Sequence, residues 1–73
     1  MDMDKMQALL DSEGMSSTEE FLEEFAMEDV VPGICMNPGC DYVASYEPDQ
    51  DKGYCEVCHT QSVMSGLRLM GVI

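Results

Sequence analysis

Read for periodicity, the chain changes character near its middle. Met6, Leu9 and Leu10 fall at i, i+3, i+4, and Asp4 with Gln7 has the spacing of a capping box, so a short helix is predicted here. Gly14 and its neighbouring serines end it. A second start follows at Ser16-Ser17-Thr18-Glu19-Glu20, where Ser16 with Glu19, or Ser17 with Glu20, supplies the box. Phe21, Leu22, Phe25 and Ala26 then form one apolar stripe, and Val31-Pro32-Gly33 is expected to stop the helix. Beyond Gly33 the helical period disappears. Asp41 to Tyr46 alternates, with Tyr42, Ala44 and Tyr46 on one face, and reads as a strand. Residues 48–53 are loop chemistry leading back to Tyr54 and Cys55. Gln61 to Ser65 and Leu67 to Ile73 are each expected to add a strand, with Gly66 at the bend. The pattern predicts a small α+β fold. Residues 1–32 form a helical segment, and residues 33–73 form a module of short antiparallel strands.

Length sharpens this. A chain of 73 residues is one small domain at most, and a chain of this size buries only about 60% of its unfolded surface, so its core needs a staple. Large enzyme folds and dinucleotide-binding domains are excluded. The formal net charge is −12, and it is unevenly spread. Residues 1–32 hold ten acids and one lysine, a formal −9, which leaves −3 for residues 33–73. The helical segment is therefore an acidic arm. Lys5, Lys52 and Arg68 are the only bases, too few and too scattered to track phosphates or an anionic membrane. The expected partner is a larger protein with a basic surface, engaged without direct nucleic-acid or membrane binding. The expected form alone is a monomer. No basic-then-apolar leader and no spanning run is apparent, so a cytoplasmic address, in a bacterium or an infected host cell, is expected.

The second predicted helix carries an electrostatic fault. Glu19 with Glu23, Glu20 with Glu24 and Glu24 with Glu28 are like charges at i, i+4, each costing about 0.2–0.5 kcal/mol. So short a helix holds only when its stripe is docked. Two docks are open: the chain's own cysteine module, or the groove of a partner with a basic rim. In the second case Phe21, Leu22 and Phe25 would enter the groove while Glu19, Glu20, Glu23 and Glu24 met its rim.

The cysteines carry the strongest chemical signal. Cys35-x4-Cys40 and Cys55-x2-Cys58 are two close pairs separated by fourteen residues. Each pair can form a turn that aims two sulfurs at one point, the arrangement of a tetrahedral four-cysteine zinc site. Asn37-Pro38-Gly39-Cys40 has the composition of a type II turn, with Gly39 supplying the positive φ. Turn amides of this kind donate to thiolates. Rival chemistries fit these residues less well. Two disulfides conflict with the expected compartment. Thioredoxin-like chemistry on Cys55-Glu56-Val57-Cys58 needs a βαβ setting the chain is too short to build. Cys55-Glu56-Val57-Cys58-His59 also matches the c-type haem motif, with Met64 or Met70 as a distal ligand, but leaves Cys35 and Cys40 unexplained. Iron is the remaining rival, since a tetrahedral all-thiolate site accepts it. His59 is expected beside the site, not in it.

The segments Ile34 to Tyr42, Glu47 to Gln50 and Gly53 to Cys58, with the apolar C-terminus, resemble a family of small zinc-ribbon-type proteins of bacteriophages and their bacterial hosts. The resemblance covers residues 33–73. It implies one structural Zn²⁺ on Cys35, Cys40, Cys55 and Cys58, and no catalytic role. Four thiolates close the coordination sphere and leave no position for a catalytic water. The expected function is a non-enzymatic interaction or regulatory module, with transcription machinery as the setting by analogy. Two other functions fit the composition: an acidic nucleic-acid mimic that blocks a host protein's groove, or a structural component of a larger assembly.

Overall fold

The computed structural model describes residues 3–72. Two helices, α1 (Met3–Glu13) and α2 (Thr18–Phe25), precede four strands, β1 (Val31–Cys35), β2 (Val43–Tyr46), β3 (Gly53–Cys55) and β4 (Thr60–Ser65), and a last helical turn, α3 (Gly66–Leu69). The strands form one antiparallel sheet in the order β2-β1-β4-β3. The fold is small α+β.

The helix ends follow from local chemistry. Gly14, at φ 71, closes α1, with Gly14 N–H donating to Asp11 O and Met15 N–H to Leu10 O. This is the Schellman pattern, in which glycine takes the left-handed position a Cβ would resist. Ser17 is the N-cap of α2, and its hydroxyl accepts from Glu20 N–H at 3.2 Å. The Glu20 carboxylate, however, reaches back to Ser16, to its backbone N–H and its hydroxyl. The helix ends earlier than expected, at Phe25 with Ala26 as its C-cap. Beyond it Met27 and Val30 face solvent, so no apolar contact rewards another turn. Glu28 and Asp29 would also sit at the negative end of the dipole.

Val31-Pro32-Gly33, expected only to stop a helix, instead opens β1, an interior strand. The 32/33 boundary drawn from the sequence falls inside it. A proline there needs a reason. Cys35 N–H donates to Tyr42 O and Met36 N–H to Ser62 O, so even-numbered residues of β1 direct their N–H toward β4. Pairing with β4 begins only at Gly33. The N–H that Pro32 lacks would therefore have met no ladder carbonyl.

The core joins both halves. Met6, Leu9 and Leu10 of α1 and Phe21 of α2 pack with Val31, Ile34, Leu67 and Leu69. Phe21 is completely buried, and its ring lies so close over Gly66 that a Cβ there would come 2.2 Å from Cζ. Leu22 and Phe25 are half-buried against the same core, and the Phe21 and Phe25 ring centroids are 4.8 Å apart. The stripe thus packs against α1 and α3 within the chain's own core.

The C-terminal run Leu67 to Ile73, expected as a strand, is helical over 66–69, while Ile73 lies outside the described residues, as do Met1 and Asp2. Ser65 caps this turn by accepting from Arg68 N–H, and Gly71 at φ 80 ends it. Gly71 N–H donates to Arg68 O and Val72 N–H to Leu67 O, repeating the closure of α1.

Candidate metal centre

The sheet's alternation separates two environments. Ile34, Val43 and Met64, which pair across β2, β1 and β4, join the helical core. Cys35 and its partner Val63 gather with Cys55, Cys40, Cys58, Tyr42 and Tyr46 in a second cluster. Cys35 ends β1 and Cys55 ends β3, two strands that flank β4, so the sheet itself brings the two pairs together.

Each pair is presented by a turn. In the first, Cys40 N–H donates to Asn37 O at 3.1 Å and Gly39 has φ 81, the type II turn expected from Asn37-Pro38-Gly39-Cys40. In the second, Cys58 N–H donates to the Cys55 sulfur at 3.3 Å, and His59 N–H donates to Cys55 O at 2.8 Å. His59 itself has φ 58, the left-handed region that glycine usually fills. Its Nδ1 lies 3.1 Å from the Tyr54 hydroxyl, and the ring takes no part in the sulfur cluster.

The four sulfurs lie within 4.8 Å of one another. Cys35 Sγ is 3.9 Å from Cys58 Sγ, and Cys40 Sγ is 3.7 Å from Cys55 Sγ. A disulfide requires about 2.05 Å, and the four cysteines are free thiols. By contrast, ligands about 2.3 Å from a tetrahedrally bound ion stand about 3.8 Å from each other. The donor set and its spacing fit a metal ion. Cys35 and Cys55 are buried, whereas Cys40 and Cys58 are partly exposed.

Proton affinities differ across the cluster. Burial pushes the Cys35 thiol up, but hydrogen bonds from the Ser62 hydroxyl, the Asn37 backbone, Cys40 and Cys55 outweigh it, leaving Cys35 at about 7. At Cys40 a backbone hydrogen bond from Tyr42 acts downward. It is outweighed by the neighbouring Cys58, by burial and by Cys35 and Cys55, which together raise the thiol to about 12. Sulfurs this close resist sharing several negative charges, and a cation among them relieves that resistance. The Ser62 hydroxyl, 3.2 Å from Cys35 Sγ, is itself oriented by Asn37 Nδ2 at 3.3 Å and Thr60 Oγ1 at 2.8 Å. These polar residues were not singled out from sequence. A Thr-x-Ser pattern opening a strand carries no signal until its partner strand is known.

Lys5 was also missed. It belongs to α1, yet its Nζ donates to Asn37 O at 2.7 Å, to Cys40 O and to Asp41 Oδ1 at 3.2 Å. An open cleft of about 410 Å³ lies beside it, between α1 and the first turn, with Ala8, Met36 and Pro38 among its walls. Of the residues expected to meet a partner, Glu19, Glu20, Glu23 and Glu24 are exposed. Phe21 is a core residue and is not available to a partner's groove in this arrangement. Among the described residues, no helix is long and apolar enough to cross a membrane. No family model, curated protein or solved structure matches this chain, so the reading of the site rests on its geometry and on the residues themselves.

Proposed function

We propose that the chain is a non-enzymatic zinc-ribbon protein: one structural Zn²⁺ on Cys35, Cys40, Cys55 and Cys58 staples a sheet that displays an acidic helical pair to a protein partner. The observation that carries the metal reading is the sulfur spacing, matched to a tetrahedron of four thiolates. Four protein ligands fill such a sphere, which suits a structural ion and leaves no open position for catalysis. The departure of Cys35-x4-Cys40 from the paired C-x-x-C of rubredoxins favours zinc over iron, and a colourless protein distinguishes the two.

The partner reading rests on charge. With Phe21 turned into the core and Leu22 and Phe25 half-covered, the solvent face of α2 is left to Glu19, Glu20, Glu23 and Glu24. Those carboxylates have no basic residue in α2 to answer them. A basic protein surface is the complement, in transcription machinery or elsewhere, and the contact is electrostatic more than apolar. The same carboxylate face also suits mimicry of nucleic acid. The test is capture of a binding protein from the source cell by the chain and by a variant with all four glutamates changed to Gln. The variant is expected to keep metal and fold and to lose the partner, and the partner is expected to elute steeply with salt. Equal capture by both forms would contradict the reading. Displacement of the bound protein by DNA or RNA would identify mimicry.

A further inference from the structure

The first cysteine turn is held from outside by a residue far away in sequence. Lys5 is only 7% exposed, and three oxygens gather at its Nζ: Asn37 O, Cys40 O and Asp41 Oδ1. An ammonium carries three N–H donors radiating from one atom, so it can serve three acceptors that surround a point. Asn37 O already accepts from Cys40 N–H to close the turn, and Lys5 adds a second bond to that carbonyl. It thus ties together the first and last residues of the turn that delivers Cys40. Asp41 is two-thirds exposed, so its ion pair is the weaker part of the grip. The two backbone carbonyls are the stronger part.

Resting on the metal reading above, we propose that Lys5 is a positioning residue of the metal centre, locking the 37–40 turn so that Cys40 is held for the ion. The dependence runs both ways. A buried ammonium needs acceptors, and these carbonyls converge on one point only when the turn is formed around its cysteines. Whatever α1 docking adds to metal affinity, the metal must add to α1 docking. The ammonium also places positive charge on the backbone of a residue ligating a centre whose formal charge, a divalent ion on four thiolates, is −2.

A plain anchor for α1 would stabilise the fold without touching the ion, and the test separates the two roles. The full chain is loaded with Co²⁺, whose thiolate-to-metal absorption reports the ligand field. Lys5→Met keeps the aliphatic stem and removes the donors. Lys5→Arg keeps the charge but spreads its donors along a planar fork. Leu9→Ala weakens the same helix through its core contacts alone. Both Lys5 variants are expected to shift the Co²⁺ band. Both should also lose metal to a chelator on the order of tenfold faster than the unmodified chain, as the loss of charge-assisted hydrogen bonds implies. Leu9→Ala is expected to leave the band in place. Lys5 variants with the unmodified band, and losing metal no faster than Leu9→Ala, would overturn the proposal alone. An unmodified chain that takes up no Co²⁺ would overturn the metal reading, and this proposal with it.

Discussion

The molecule has two cohesive centres, and they differ in what holds them. One is hydrocarbon: Met6, Leu9, Leu10, Phe21, Val31, Ile34, Leu67 and Leu69 drawn from both ends of the chain. The other is sulfur: Cys35 and Cys55 with Cys40 and Cys58 around Val63 and two tyrosines. The hydrocarbon centre is held by area removed from water, which is gradual and tolerant of trimming. The sulfur centre has little apolar area of its own. On the metal reading proposed above, its cohesion would come from an all-or-none coordination event that, for structural zinc, contributes about 10–16 kcal/mol. Substitutions of similar size should therefore have unequal consequences in the two places.

The largest effect is expected at the sulfur centre. Cys55→Ser removes a buried thiol of the proposed metal site, and losing a contribution of about 10–16 kcal/mol matches or exceeds the whole stability of a typical domain, about 5–15 kcal/mol. The variant should bind no metal at neutral pH and lose its sheet by circular dichroism. A folded Cys55→Ser chain would remove the contrast between the centres.

At the hydrocarbon centre the expected effects are smaller and graded. Phe21→Ala should cost about 3–5 kcal/mol, read as a lower denaturation midpoint in a chain that still binds metal. Gly66→Ala probes the same contact from the other side, because its Cβ would collide with the Phe21 ring. A cost of about 1–3 kcal/mol is expected from overpacking. Gly66→Ala with an unchanged midpoint would show that α2 does not rest on α3.

The smallest effect concerns protons, and it sharpens the contrast because only the sulfur centre should feel pH near neutrality. Cys35 stands at about 7, below the ordinary thiol value of 9.0, so its thiolate is favoured in the fold and becomes protonated as pH falls through about 7. Cys40, raised to about 12, favours its protonated form at neutral pH. Metal uptake should therefore release protons, and affinity should rise roughly tenfold per pH unit for each proton released. Ser62→Ala removes the hydroxyl bonded to Cys35, so its thiol should titrate higher. Metal affinity at neutral pH should then fall by the worth of one hydrogen bond, about 1 kcal/mol. A competitive titration at several pH values checks both signs, and a pH-independent affinity would refute them.

Much of the two centres was legible in the residues, but their joint was not. Periodicity located α1 and α2 because an apolar stripe at helical spacing needs no long-range knowledge. Cysteine spacing located the sulfur cluster, and Asn37-Pro38-Gly39-Cys40 announced its own turn. Strand β1 was hidden because Pro32 and Gly33 speak locally for a stop. Its place in the sheet depends on the ladder with β4 ending just short of Pro32. The C-terminal turn was hidden because Ser65 and Gly71, a cap and a closing glycine, were outvoted by the apolar residues between them. Lys5 carried no signal at all. A lone base in an acidic helix looks like solubility until its acceptors, 32 and more residues away, are folded beneath it.

Whether a metal completes the fold is decided by the far-ultraviolet circular dichroism of the full chain, kept reduced, during removal and return of zinc. A chelator is expected to collapse the sheet signal, and Zn²⁺ to restore it with an end point at one ion per chain. A chain that keeps its full signal when stripped of metal, with all four thiols reduced, would contradict that expectation.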